Sequence, residues 1–228
     1  PAAKGLLFEL IRRPGESGMS VLAHHVVPWA AQKGLARVFR DRTLGVLDAL
    51  VGATTLTFAA LISSPERDEE SLRLVVEVAD TIGQEIAHCV REFVEQAPML
   101  GDEERLGLLR DFYGRVGKTL DALGSTGIAA VVHEVVEALA LCADVDPRAV
   151  FLQVARVVEH GRRGGYECDD LAKDAIVRLV QRYLADHRAL LQDESACRAA
   201  LISILDIFVR AGWAEARLLT YNLEQIFR

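Results

Sequence analysis

Apolar residues recur at helical spacing along most of this 228-residue chain. The clearest stripe is Ala172, Ala175, Ile176, Leu179, Val180, Tyr183, Leu184, His187, Leu190 and Leu191, stepping by three and by one. It predicts one broad face of an α-helix about five turns long. Asp174 and Arg178 stand four apart on the opposite face, in the favourable acid-first order. Such a helix must bury its stripe against neighbours, and the flanking sequence supplies them. Upstream, the cap pair Asp146-Pro147 precedes Val150, Phe151, Val154, Val157 and Val158. Downstream, Asp193 precedes Ala200, Leu201, Ile204, Leu205, Phe208 and Val209, and Gly212-Trp213 turns into a last helix carrying Leu219, Leu223, Ile226 and Phe227.

The same reading extends to the N-terminal side. Residues 3–13 predict a short helix with Leu6, Leu7, Leu10 and Ile11 on one side, stopped by Pro14-Gly15. From Met19 a second helix carries Val21, Leu22, His25, Val26 and Trp29 and is interrupted by Pro28. Residues 35–62 form a third run, with no charge between Ala49 and Ile62. It is shorter than the roughly 20 apolar residues of a membrane span and contains Gly52, Thr54, Thr55 and Thr57, so a buried central helix is expected and a membrane partner is not. Ser63-Ser64-Pro65-Glu66 reads as a restart. The helix that follows carries Leu72, Val75, Val76, Ala79, Ile82, Ile86 and Val90. A further helix after Asp102 carries Leu106, Leu109, Phe112, Val116 and Leu120, and another covers Ile128 to Cys142. No sustained two-residue alternation and no hairpin signal occurs. The expected fold is all-α, an antiparallel array or bundle of about eight to ten helices. A basic, apolar part at 1–63 joins a repeat-like part at 64–228 in one continuous domain.

Charge sharpens this picture. Residues 1–42 hold seven Lys or Arg against three acids, a balance of +4, and the remainder holds 19 against 30, a balance of −11. The basic arm is expected to dock on the acidic remainder of the chain or its parent. The acidic total and the scarcity of aromatic residues argue against a nucleic-acid partner. Cys89, Cys142, Cys168 and Cys197 stand singly, the pattern of buried thiols in a reducing cytoplasm.

From Asp146 onward the expected helix starts fall about 20–24 residues apart, so a pair spans the ~40–47 residues of HEAT and armadillo repeats. In period and amphipathicity this part resembles that class. Tyr183-Leu184-Ala185-Asp186-His187-Arg188 and Ala211-Gly212-Trp213-Ala214-Glu215-Ala216 resemble segments near the C-terminal end of large bacterial multidomain proteins with NTPase-type modules upstream. That resemblance implies a helical end-domain for packing or recognition, in a larger parent that starts before Pro1.

Candidate chemistry is sparse. Glu85 and His88 share a helix face at a spacing used by di-iron bundles, and His133, Glu134 and Glu137 offer partial material on another helix. A metal-dependent enzyme would need Glu85, His88, His133 and Glu137 to converge. The turn Gly161-Arg162-Arg163-Gly164-Gly165, with Arg37 and Arg40, could hold an anion through guanidinium and backbone N–H groups. A ligand- or anion-sensing bundle would add a cavity beside the 44–62 helix. No complete nucleophile, metal or phosphate motif is present. The sequence therefore reads as a non-catalytic scaffold or protein-interaction domain that needs no cofactor.

Overall fold

Pro28 shows how the N-terminal layer is built. Proline lacks the N–H that a helix would bond to the carbonyl four residues back, and its ring crowds that carbonyl. The chain answers with a π-helical turn just before it, Leu22–Val26, in which the Val27 N–H reaches the Leu22 carbonyl five residues back. Helix α1 (Glu16–Val21), this π turn and α2 (Val27–Leu35) thus follow one another without a break. The helix begins at Glu16, with Gly15 as its cap, three residues before the Met19 start that the sequence predicts.

The computed structural model describes residues 5, 9–13, 15–35, 40–66, 68–95, 101–163, 172–214 and 217–220, and the backbone alone at 34–35, 40–44, 93 and 163. After α2 come α3 (Arg40–Ser63), α4 (Glu69–Glu95), α5 (Asp102–Gly124), α6 (Ala129–Leu141), α7 (Pro147–Arg163), α8 (Lys173–Asp186), α9 (Arg188–Asp193) and α10 (Ser195–Arg210). Among the described residues there is no strand, and the fold is all-α.

Two helices gather the others. Helix α4 touches α1, the π turn, α2, α3, α5 and α6; α6 touches α4, α5, α7 and α8, and α10 closes on α7. The centre therefore lies at α4 and α6 rather than at the 172–191 stripe. Along α4, Val75, Val78, Ala79, Ile82, Ile86 and Val90 are fully buried. Along α6, Val131, Val132, Val135, Val136, Ala138 and Leu139 are too, because its sequence is apolar nearly all round. Where α4 crosses α6, a Cβ on Gly83 would stand 3.1 Å from the Glu134 Cβ. At the end of α5 a Cβ on Gly124 would come within 2.5 Å of Val157. Both glycines are packing positions, and Gly124 is one as well as a helix end.

Helix ends follow short-range chemistry. The fourth helix starts later than Ser64-Pro65 suggested: Asp68 is its cap, accepting from the Ser71 N–H at 3.1 Å and the Ser71 hydroxyl at 2.6 Å. Asp146 caps α7 as expected, accepting from the Ala149 N–H at 2.9 Å. Gly101 and Glu194, not Asp102 and Asp193, hold the cap positions of α5 and α10. At the end of α10, Gly212 takes a left-handed φ of 85°. The Trp213 N–H then bonds the Phe208 carbonyl at 3.1 Å, and the Gly212 N–H bonds the Val209 carbonyl at 3.1 Å. This is a Schellman ending, and its apolar contact is Trp213 stacked on Phe208 with ring centroids 4.1 Å apart.

Two further expectations are corrected. The stripe from Ala172 to Leu191 is not one helix: it breaks at His187, whose φ and ψ are −124° and 31°. The 44–62 run is buried on one side only. Leu47, Leu50, Val51, Ala53 and Thr54 enter the core, whereas Leu56 is 63% exposed and Ile62 43%.

Candidate functional site

The chemistry-bearing side chains cluster where α6 meets α5 and α8. The last turn of α6 exposes the Ala140 carbonyl, and Arg182 of α8 donates to it at 3.1 Å. The same guanidinium bonds Asp144, in the link after α6. The His187 Nε2 comes within 3.4 Å of the other Asp144 oxygen, although the two are not aligned as a hydrogen bond. The His187 ring lies against Tyr183, centroids 4.9 Å apart, and Tyr183 lies against Phe151 at 4.6 Å. The buried Tyr183 hydroxyl donates to the Pro147 carbonyl at 2.8 Å. α8 ends four residues later, at His187.

On either side of Arg182 the surface is hollow. One cavity of about 340 Å³ has a floor of Val94, Leu106, Leu109 and Leu141 and a rim of Asp102, Arg105, Asp144 and Arg182. A second, of about 220 Å³, shares Leu141 and Arg182 and adds Ala140, Ala175, Leu179, Glu137 and Arg178. The two hollows meet at Leu141 and Arg182 near the end of α6, and this pair of hollows is called the groove over α6. The rim charges are paired: Arg105 with Asp102 at 3.3 Å, Arg178 with Glu137 at 3.2 Å, and Arg182 with Asp144. Arg178 thus reaches another helix. A third hollow, between α5 and α7, is closed from below by a clasp. There the Tyr113 hydroxyl donates to Gln153 Oε1 at 2.9 Å, and Gln153 Nε2 donates to the Gly117 carbonyl at 2.7 Å. None of these three cavities is lined by a residue of α3.

The residues singled out as metal ligands are spread apart. His88 is exposed and lies 3.6 Å from Glu92, while Glu137 pairs with Arg178. His133 lies 3.9 Å from Glu134, and Glu85 sits half-buried beside Cys89 on α4. Among the described residues no three His, Cys, Asp or Glu side chains are grouped as a metal site. Of the proposed anion ligands, Arg37 lies outside the described residues, and so do the side chains of Arg40 and Arg163. Arg162 is exposed and bonds Glu159 at 2.6 and 2.9 Å, which raises its guanidinium pKa. Gly161 is buried within α7 rather than placed in a turn; Gly164 and Gly165 lie outside the described residues.

The thiols of the described residues are poor nucleophiles; Cys168 lies outside those residues. Burial pushes Cys89 and Cys142 up to about 12, so both are protonated at neutral pH. Burial raises Cys197 as well. Glu134 is held above the usual carboxylate range by burial, against the pull of His133 and Arg91. Its Oε2 has no hydrogen bond, with Arg91 3.8 Å away. Sequence reasoning missed Asp144, Arg105 and Arg182. The Arg182–Asp144 pair joins residues 38 apart, and no motif signals it.

No family model, no curated protein and no solved structure matches the chain.

Proposed function

We propose that this chain is a non-catalytic α-helical interaction domain, a HEAT-like stack that works in the cytoplasm and holds a helix of another protein, or of its own parent, in the groove over α6. One observation carries the reading: two hollows lined by apolar and charged residues lie next to each other at the end of α6, and the charges around them are held by one another. A helix with an apolar stripe fits such a groove, as in other helix-in-groove complexes. The floor supplies affinity, and the ordered rim of Asp102, Arg105, Glu137 and Arg178 supplies register. The buried thiols support a reducing compartment.

The test compares affinity purification from the source cells using the wild-type chain and an Arg105→Glu/Arg178→Glu variant. Both side chains are exposed, at 47% and 66%, so the fold is expected to stand, which circular dichroism checks. The reading predicts a protein recovered near one-to-one by the wild type and lost with the variant. Recovery unchanged by the two reversals, with folding intact, contradicts it.

A further inference from the structure

The hollow between α5 and α7, with a volume of about 300 Å³, stands apart from the groove over α6. Three charged residues line it, Lys118, Arg156 and Asp121. Asp121 accepts two hydrogen bonds from Arg156, at 2.9 and 3.3 Å, so those two charges answer one another. Lys118 is left over. Most described arginines are held in ion pairs, yet the exposed side chains of Lys118 and Arg110 have neither an ion pair nor a hydrogen bond. A shortage of carboxylates does not explain this, since the chain has 33 acids against 26 Lys and Arg. Asp111, the residue after Arg110, bonds Arg115 at 2.9 Å instead.

The helix brings the two unpaired cations together. Arg110, Gly114 and Lys118 follow at four-residue steps and share one face of α5. The cations stand about 12 Å apart along the axis, one turn on either side of Gly114. A Cβ on Gly114 would meet nothing within 4 Å, so the backbone between them is bare, at a position that itself lines the hollow. Beneath, the bonds from Tyr113 to Gln153 and from Gln153 to the Gly117 carbonyl fix the floor, which leaves little to order on binding. A cavity of about 300 Å³ lies at the small end of the range for small-molecule sites. Lys and Arg are pure donors, and N–H groups converging from both suit the oxygens of a phosphoryl group.

We propose that this hollow binds a small phosphorylated molecule, with its phosphoryl oxygens held by Arg110 and Lys118 over Gly114, independently of the groove over α6. The experiment titrates the 228-residue chain with inorganic pyrophosphate, and separately with succinate, in a calorimeter. Pyrophosphate is expected to bind, and succinate to bind at least ten-fold more weakly. Arg110→Gln/Lys118→Gln removes two charge-assisted contacts and is expected to weaken pyrophosphate roughly ten-fold or more. Gly114→Leu removes no charge but fills the bare patch. It is expected to lose binding while melting no lower than the wild type, because leucine is the better helix former. Lys33→Gln removes another exposed, unpaired cation, on α2, and is expected to change nothing. Circular dichroism checks that each variant is folded. Absence of pyrophosphate binding overturns the proposal, as does equal affinity for succinate. Equal loss with Lys33→Gln shows only diffuse attraction, and undiminished binding by Gly114→Leu places the anion elsewhere; either result overturns it too.

Discussion

Glu134 is the residue at which packing and charge conflict most directly. Its stem lies against Gly83, one oxygen has no hydrogen bond, and burial raises its carboxyl above the ordinary 4.5. The folded state thus holds this proton to higher pH than the unfolded chain does. Folding stability falls as pH rises from the unfolded value through the folded one, and stays reduced at neutral pH. Glu134→Gln removes that penalty. It is expected to melt higher than the wild type at pH 7, with the difference shrinking toward pH 4, as thermal scans at both values check. Gln153 shows the opposite situation, a buried polar group with both ends satisfied. Gln153→Leu leaves the Gly117 carbonyl and the Tyr113 hydroxyl without their partner, and is expected to lower stability by about 1–3 kcal/mol in urea unfolding. An unchanged midpoint would show that water replaces the clasp.

At the scale of elements, glycine positions carry two different burdens. Gly124 is required by a neighbour: Gly124→Ala drives a methyl into Val157 and is expected to cost about 1–3 kcal/mol in the same assay. Gly212 is required by its backbone, with open space around it, so Gly212→Ala is expected to cost only about 1 kcal/mol through the left-handed φ. Most helices were legible because each needs only a stripe and a start signal, and Asp146 with Val150 and Val154 shows both. What escaped depends on contacts distant in sequence. The break at His187 falls where its ring meets Asp144 and Tyr183, with no glycine or proline to signal it. The π turn before Pro28 was legible only as an interruption. Asp68 outcompetes Ser64 as a cap because its carboxylate finds both donors of Ser71.

The described residues are organised by burial on α4 and α6. Cys142 is fully buried, with its thiol pushed up to about 12. It is expected to resist a thiol reagent at pH 8 until denaturant is added, as a timed labelling experiment checks. Apolarity along residues 44–62 was legible, but its one-sided burial was not, since exposure depends on how far α5 extends over α3. The groove over α6 was illegible for a similar reason: its floor joins Leu106, Leu141 and Leu179 from three helices. The proposed role rests on that groove. Hydrogen exchange of the chain, free and bound to the protein recovered with it, tests the role most directly. Slowed exchange in the first turns of α5, the end of α6 and the Ala175–Arg182 face of α8 is the predicted result; protection confined to other helices, or none, contradicts it.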